Sequence, residues 1–343
     1  MRNFSKTLLV SVAFLLCAAI LSLILIEPFF EVQPNYYQDA RTRDTLSGTV
    51  DFAVLGASFA YRSLDPDVID PILGTHGYNF SGAGMTMAGR YELLVKELSR
   101  NPIKTVVMDL GSDMIYRDRD TVQGAEGDLY LLDRLGTKRE RIAYIAKHIR
   151  PDEYFYTYSH LLTEGVKTLK NGRVSEYSDE YRLDCRGYYP KYTNDMSMTD
   201  AEYRAIRNTK SVYAEVSAEN LEYLEKIVTL CKENGIEIVL FTAPVSLKYI
   251  CEYEDLDKSR EIYEQEAEKL GVPYYDFNLL KDRNELFSED TCFYDEAHMS
   301  IDGAPIFSEY FANFLLKLRS GEDVADLFYA SYARVDAMQS YAK

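Results

Sequence analysis

Five short apolar segments recur along the chain, and they limit most strongly the folds that it can adopt. Apolar runs of this length, without polar alternation, are typical of strands buried on both faces of a parallel sheet. The segments are VDFAVLG (50–56), GYNFS (77–81), KTVVMDLG (104–111), EIVLFTAP (237–244) and PYYDFN (273–278). They predict a parallel sheet that begins near Val50.

Amphipathic helical patterns separate most of these segments, as the crossovers of a parallel sheet require. One helix should end at Asn101 and Pro102, a second should begin after Ser217 and end at Gly235, and a third should end at Gly271. The alternation predicts an α/β fold, a three-layer doubly wound sandwich with right-handed crossovers. The predicted apolar faces are Tyr91, Leu94, Val95 and Leu98; Leu221, Leu224, Val228 and Cys231; Tyr263, Ala267 and Leu270; and Phe307, Tyr310, Phe311, Phe314, Leu315 and Leu318.

About a hundred residues, 115–216, are too many for an ordinary crossover and predict a helical, Tyr-rich insertion. An insertion after a strand emerges at the carboxyl edge of the sheet, where open α/β folds bind ligands. The predicted division is a cytoplasmic terminus and anchor (1–26), a lead-in (27–49), the α/β domain (50–318) and a tail (319–343). The tyrosines of the insertion are Tyr154, Tyr156, Tyr158, Tyr177, Tyr181, Tyr188, Tyr189 and Tyr192.

The segment Leu8–Ile26 holds nineteen residues without a charge, and a helix of that length reaches roughly 28 Å, close to the thickness of a bilayer core. Arg2 and Lys6 precede it, so the positive-inside rule predicts a single-pass membrane protein with a cytoplasmic N-terminus and an extracytoplasmic remainder. Two alternatives stay open, a cleaved signal peptide and a lipoprotein attached at Cys17. An uncleaved anchor is favoured because no small-residue cleavage site follows the apolar run.

The charge balance excludes one class of partner. There are 38 Lys and Arg residues against 55 Asp and Glu residues, a formal charge of −17, which repels nucleic acid. The five cysteines form no C-x-x-C pair, so no zinc or redox motif is predicted, and we expect neither a metal nor a cofactor. Disulfide pairing stays open in an oxidising compartment, although Cys231 fits a helix core better.

Ser58 follows the first predicted strand directly, in Gly56-Ala57-Ser58. A strand-to-helix turn would lift its hydroxyl above the sheet, and a helix N-terminus there would favour a developing oxyanion. A helix N-cap explains this serine equally well on the tripeptide alone.

A second motif, near the C-terminus, supports the catalytic interpretation. Asp295 stands three residues before His298, and a carboxylate at that spacing can accept the imidazole Nδ1–H and leave Nε2 free to take a proton from a serine. The chain has three further histidines, His76, His148 and His160, and none of them has a comparable acid partner. Ser58 and His298 are therefore the candidate nucleophile and base, and Asp295 orients the base.

Glycines follow the second predicted strand, in the segment from Asn79 to Thr86. Their spacing through Gly82, Gly84 and Gly89 departs from the G-x-G-x-x-G of dinucleotide-binding loops. A glycine at this edge of the sheet can instead present a bare N–H to a substrate oxygen.

The order and spacing of these motifs resemble the SGNH (GDSL) hydrolase superfamily, whose fold is flavodoxin-like. GASFAYRSLDP and YDEAHMSIDGAPIFSEYF, together with the apolar N-terminus, are similar to its membrane-anchored branch, which includes alginate O-acetylation and lipoteichoic acid D-alanyl transfer proteins. The resemblance implies Ser58 as nucleophile, His298 as general base and Asp295 as its orienter. It further implies oxyanion donors on Ser58 and Gly84, with Asn79 in the same substrate-binding block.

One block departs from the family pattern. The family places an Asn in a G-x-N-D context after strand three, where this chain has Asp109-Leu110-Gly111-Ser112-Asp113. We expect Ser112 and Asp113 to lie at the substrate site, but an acid opposes an oxyanion unless it is protonated.

Two functions follow. The first is extracytoplasmic acyl transfer or ester hydrolysis through an acyl-serine, on an envelope glycan or teichoic acid and with a possible membrane-bound acyltransferase partner. The alternative is a catalytically weak or inactive protein of the same fold that binds polysaccharide or that partner.

Overall fold

The computed structural model describes residues 2–26, 46–116, 128, 131–132, 135, 138–157, 159, 186–211 and 215–333, with side chains of the first helix described from 6 to 21. The chain divides into two compact units. One comprises Met1–Gln38 and Asp133–Tyr177, and the other comprises Asp39–Leu132 and Ser178–Lys343.

The larger unit contains the predicted parallel sheet. Its strands are β1 (Phe52–Leu55), β2 (Gly77–Asn79), β3 (Thr105–Asp109), β4 (Glu237–Thr242) and β5 (Tyr274–Asp276). All pairs are parallel and the order is β2-β1-β3-β4-β5. The order reverses direction at β1 and β3, and the carboxyl ends of these strands are where a doubly wound sheet places its ligand site. The α/β class with a parallel sheet is confirmed.

Helices of the larger unit connect the strands and flank the sheet. Short 3₁₀ turns cover Met114–Tyr116, Pro151–Glu153, Phe277–Leu279 and Ala325–Leu327. The α-helices are α1 (Arg2–Ile26), α2 (Ser58–Ser63), α3 (Pro66–Leu73), α4 (Met87–Leu98), α5 (Lys138–His148), α6 (Asp200–Ile206), α7 (Ala218–Glu233), α8 (Leu247–Glu252), α9 (Leu256–Leu270), α10 (Arg283–Leu286) and α11 (Gly303–Ser320).

The sheet of the larger unit is covered on both faces. On one face α11 packs against α2 and α3, and Phe307 and Phe311 join the core formed by Phe52 and Phe241. On the other face α7 packs against α4 and β4. Successive residues of a strand point to opposite faces, so strands that are apolar throughout are what this three-layer arrangement requires.

Helix ends in the larger unit follow the predicted signals. The Ser217 side chain caps α7 by accepting the N–H of Asn220, and Gly235 and Gly271 adopt positive φ after α7 and α9. The buried face of α4 differs from the prediction, because Arg90 and Glu97 are buried whereas Val95 is 40% exposed. The two charged side chains make hydrogen bonds inside, Arg90 with Asp109 and Glu97 with Asn101.

The smaller unit contains α1 and α5. Across the part of the chain that the structure describes, no helix combines the length and the apolar character needed to cross a bilayer. This finding does not support the transmembrane helix predicted for residues 8–26.

Much of the predicted lead-in and insertion lies outside the described residues, including Tyr158, His160, Tyr177, Tyr181 and Cys185. The cysteines that the structure describes, namely Cys17, Cys231, Cys251 and Cys292, are free thiols, and Cys231 is fully buried in the core, as expected.

Candidate active site

Ser58 is the first residue of α2, immediately beyond the carboxyl end of β1. The turn between them is tight, because a Cβ on Gly56 would lie 2.5 Å from the Cβ of Ala60. Ala57, not Ser58, takes the N-cap position, so the serine hydroxyl is not used as a helix cap. The local fold therefore leaves this hydroxyl available for another partner.

The partner comes from the loop that precedes α11. The Tyr294 N–H donates to the His298 carbonyl at 2.9 Å, and an antiparallel bridge between Phe293 and Met299 closes the base of the loop. Within it, the Glu296 carbonyl accepts hydrogen bonds from the N–H and the hydroxyl of Ser246, at 3.0 and 2.9 Å. These bonds fix the loop against the N-terminus of α8.

The three predicted catalytic side chains meet at the edge of the sheet. The distance between Ser58 Oγ and His298 Nε2 is 2.8 Å. The Nδ1 atom of His298 lies 2.8 and 2.9 Å from the two carboxylate oxygens of Asp295. With the proton on Nδ1 the imidazole donates to Asp295, and Nε2 accepts from the serine hydroxyl. This is the geometry of a serine nucleophile with its base and the carboxylate that orients the base.

Asp295 is well matched to its position. Burial acts to raise its pKa, but the hydrogen bond and charge of His298 and the N–H groups of Ala297 and His298, each 2.9 Å from Oδ1, outweigh burial and hold the pKa below its usual range. The carboxylate therefore stays ionised at neutral pH and keeps the imidazole in one orientation.

A cavity of about 430 Å³ opens beside the triad, and Ser58, Gly84, Asp113 and His298 are among the residues that line it. Gly84 has φ of +57°, a conformation that glycine adopts without strain. Its N–H and that of Ser58, in the first turn of α2, have no backbone partner within the described segments. Both residues line the cavity, and their N–H groups are candidates for the oxyanion donors that the resemblance to SGNH hydrolases implies.

The structure differs from the prediction at Asn79. This side chain is fully buried, and it is absent from the described residues that line the cavity. Its amide donates to the carbonyls of Ala60 and Leu64 at 3.0 and 2.9 Å, and its Oδ1 accepts the N–H of Ser81. Asn79 thereby ties the end of α2, the helix that begins at Ser58, to β2. Its polar atoms are already used in these bonds, so it is not placed to contact a substrate.

Ser112 also differs from the expected substrate contact. Its hydroxyl is hydrogen-bonded to the hydroxyl of Tyr249, and it does not line the cavity in the described part of the chain. A hydroxyl already paired with a neighbouring side chain is a poor oxyanion donor. Asp113 does line the cavity, as predicted.

Sequence reasoning missed Arg90 and Asp109, which line the same cavity although both are completely buried. The Arg90 Nη1 donates to the Asp109 carbonyl at 2.6 Å. Burial lowers the pKa of Arg90 to about 10 and raises that of Asp109 to about 6, while each charge partly offsets the effect on the other. One sequence feature could have indicated Arg90. It is a charged residue about one turn from the glycine loop, on a face of α4 that the apolar pattern assigned to solvent.

Aromatic side chains form another part of the cavity wall. Phe59 stands next to the nucleophile, with its ring 5.5 Å from the His298 imidazole. Tyr249 and Tyr253 lie with ring centroids 4.6 Å apart, and Lys210 is over the Tyr253 ring while paired with Glu252. The cavity thus joins Ser58 to a wall of rings and a buried polar pair.

No group of three or more His, Cys, Asp or Glu residues is arranged to hold a metal ion among the residues described by the structure. The arrangement that the structure does contain is suited to acyl transfer by a serine.

Comparisons with other proteins add little at the level of sequence: no protein family model matches the chain, and no curated protein sequence matches it. Among solved structures, a candidate acylhydrolase from Bacteroides fragilis is similar over 83% of this chain and 97% of its own, with 11% identity and a TM-score of 0.34. The resemblance to SGNH hydrolases therefore continues to rest on the motifs of the sequence.

Proposed function

We propose that this protein is a serine esterase or O-acyltransferase that works through an acyl-serine. The observation that carries the proposal is the hydrogen-bonded series Ser58–His298–Asp295 beside a cavity. Ser58 Oγ lies 2.8 Å from His298 Nε2, and His298 Nδ1 lies 2.8 Å from Asp295 Oδ1. Three side chains from opposite ends of the sequence, joined in the order that nucleophilic catalysis needs, are the strongest support for this chemistry.

In the first half-reaction, Ser58 Oγ attacks the carbonyl carbon of an ester as His298 Nε2 takes the hydroxyl proton. The carbonyl π electrons move to oxygen, and the N–H groups of Ser58 and Gly84 stabilise the resulting negative charge. When the intermediate collapses, the ester C–O bond breaks and the alcohol leaves with the proton from His298. The products are the acyl-serine and the free alcohol.

In the second half-reaction, water or an acceptor hydroxyl gives its proton to His298 and attacks the acyl carbon. The bond to Ser58 Oγ breaks, and the proton returns to the serine. Asp295 stays ionised throughout and stabilises the imidazolium, which exists only between the two proton transfers. Water gives an esterase and an alcohol gives a transferase.

The envelope glycan or teichoic acid, the location outside the cytoplasm and the acyltransferase partner remain predictions from the sequence. Cell fractionation, and assays against acetylated and D-alanylated envelope polymers, would test them.

A fluorophosphonate probe tests the proposed chemistry directly, because it forms a stable bond only with an activated serine. We expect it to label the protein, and Ser58→Ala to abolish labelling. Ser63→Ala is a matched control on the same helix, since that buried hydroxyl only donates weakly to the Ala60 carbonyl, at 3.4 Å.

Mass spectrometry of the labelled peptide would complete the test. Labelling of another residue, or equal labelling of the Ser58→Ala variant, would contradict the proposal. A folded protein that neither reacts nor cleaves activated esters would instead be the inactive binding protein of the same fold.

A further inference from the structure

Two buried side chains at the cavity carry polar atoms that no described residue satisfies. The Nε and Nη2 atoms of Arg90 and the Oδ2 atom of Asp109 have no hydrogen-bond partner among the described residues. Leaving a buried donor or acceptor unpaired costs about 1 to 3 kcal/mol. Such groups are rare in folded proteins, and each calls for an explanation, a bound group being one.

The unpaired atoms of Arg90 have a defined arrangement. Its Nη1 is already committed to the Asp109 carbonyl. The Nε and Nη2 atoms form the opposite edge of the planar guanidinium, where two N–H bonds point in parallel and can converge on one acceptor group. Arg90 therefore offers a pair of donors.

Asp109 offers the complementary function. Its Oδ1 accepts the N–H groups of Gly111 and Ala243, at 3.2 and 3.0 Å, and its Oδ2 remains unpaired. Since the pKa of Asp109 is about 6 and that of Arg90 about 10, both are ionised near neutral pH. The pair is then formally neutral and presents two donors and one acceptor.

The charge of the surroundings selects among ligands. Among the described residues, the charged ones that line the cavity are Arg90, Lys210, Asp109, Asp113, Asp295 and Glu296, so carboxylates outnumber cations by four to two. A carboxylate or phosphate would satisfy Arg90 but would stand against the unpaired oxygen of Asp109. A neutral group that carries an acceptor next to a donor satisfies both side chains, and a secondary amide is such a group.

We propose that Arg90 and Asp109 form a subsite for the acetamido group of an N-acetylated sugar, with Arg90 donating to the amide carbonyl and Asp109 accepting the amide N–H. The inference deepens the proposed function by naming a substrate class for the same cavity, and it depends on that function for the chemistry at Ser58. Arg90 and Asp109 both line the cavity with Ser58, although both side chains are fully buried.

A sugar fits the remainder of the cavity better than a peptide does. Tyr249 and Tyr253 place two neighbouring rings, tilted by 37° to each other, on its wall, and aromatic faces with polar edges are suited to the apolar faces and hydroxyls of a pyranose. The peptide alternative is an outcome of the test below.

Ligand-observed NMR on the full chain can measure binding without turnover, using N-acetylglucosamine, glucose, glucuronate and N-acetylalanine methylamide as probes. We expect N-acetylglucosamine to bind about tenfold more tightly than glucose, since two hydrogen-bonded groups are gained. Equal affinity for these two sugars would overturn the proposal. An N-acetylalanine methylamide that binds as tightly as N-acetylglucosamine would also overturn it and assign the site to peptides.

Two variants sharpen the test. Arg90→Met should abolish the preference for N-acetylglucosamine over glucose, whereas Arg319→Met should retain it, because Arg319 pairs with Glu237 at the amino end of β4, away from the cavity. A preference that survives in folded Arg90→Met would contradict the assignment.

Asp109→Asn decides the matter even if Arg90→Met fails to fold. An asparagine there can keep Oδ1 on Gly111 and Ala243 and replaces the unpaired acceptor by a donor. We expect the order of affinity to reverse, with glucuronate binding more tightly than N-acetylglucosamine, an effect that a purely structural role of Asp109 would not produce. An unchanged order would overturn the proposal.

Labelling of Ser58 separates this inference from the proposed function. Labelled protein without a preference for the acetamido sugar would end the inference and leave the function standing. Binding with that preference, in a protein whose Ser58 does not react, would do the opposite.

Discussion

Two of the carboxylates that line the cavity, Asp295 and Asp109, have pKa values shifted in opposite directions. Asp295 accepts three N–H groups, from the His298 ring and from two backbone amides, and its pKa is lowered. Asp109 has donors on one oxygen only, and its pKa is raised to about 6. Burial opposes ionisation at both sites, so the direction follows from the balance between burial, which is complete at Asp109 and partial at Asp295, and the donors that reach each charge.

The comparison separates two kinds of site within one cavity. At the triad, every contact needed to orient the base is supplied by the protein, which is how a rigid catalytic geometry is maintained. At Arg90 and Asp109, two donors and one acceptor have no partner among the described residues, and these are the atoms that the proposed ligand would use. Substitutions at the triad and substitutions at Arg90 and Asp109 should accordingly change different measured quantities.

The largest effect is expected at the triad, where the protein itself supplies the hydrogen bonds that orient the base. His298→Ala removes the base that activates Ser58, and the rate constant kcat/KM for an activated ester should fall about 10³-fold, or about 4 kcal/mol. The side chain is 23% exposed, so the fold should persist. Steady-state kinetics with thermal unfolding as a control check this, and a loss below about tenfold would remove His298 from the mechanism.

Asp109 should instead govern how the free energy of unfolding depends on pH. Asp109 has a folded pKa of about 6 against an ordinary value of 3.8, so between these values the folded state holds a proton that the unfolded state has released. Its free energy of unfolding should therefore fall as pH rises from about 4 to about 6, by up to about 3 kcal/mol.

Asp109→Asn should remove that contribution, and urea unfolding of both proteins from pH 4 to 7 measures it. The difference between the two proteins cancels the effect of other groups, such as Asp276, whose pKa burial also raises to about 6. A difference that does not vary with pH would show that Asp109 is ordinarily solvated.

The same substitution at the other carboxylate should act on catalysis. In Asp295→Asn the Oδ1 atom can keep the two backbone N–H groups, which turns the amide N–H toward His298 Nδ1 and favours the tautomer that cannot accept from Ser58. We expect kcat to fall about 10²-fold with little change in KM. If Asp295→Asn and Asp109→Asn had equal effects on kcat, the distinction between the triad and the Arg90–Asp109 pair would be wrong.

The smallest effect is expected from a substitution at Asn79, whose buried side chain bonds to the carbonyls of α2 and the residue after it. Asn79→Ala leaves the carbonyls of Ala60 and Leu64 without their amide donor, and the free energy of unfolding should drop by about 2 kcal/mol. Denaturant titration measures this change, and KM should move little because Asn79 does not reach the cavity. A large rise in KM at unchanged stability would restore the predicted substrate contact.

The strands, the helix ends and the triad could be predicted because each depends on a local pattern. The carboxyl ends of parallel strands share one edge, and Asp295 and His298 are close in sequence, so convergence with Ser58 followed from topology. The N-terminal anchor could not be judged in the same way, since apolar length alone was its basis and the structure does not support it.

The roles of Arg90 and Asn79 could not be predicted, for a physical reason. Apolar periodicity assigns charged residues to the solvent face, whereas Arg90 and Glu97 are buried through hydrogen bonds to groups distant in sequence. Likewise, a sequence shows that Asn79 has donors but not that the free carbonyls of α2 lie within their reach. Contacts of this kind exist only after the layers have assembled.

The separation of 240 residues between Ser58 and its base has a consequence for biosynthesis. At about 5 to 20 residues per second, a ribosome needs roughly 10 to 50 s to proceed from the serine codon to the histidine codon. During that interval the nascent chain carries an ordinary alcohol, and α11 must still be synthesised after the histidine. If Ser58 acts as proposed, its reactivity thus emerges only after the histidine and α11 have been synthesised, and shorter nascent chains cannot yet activate it.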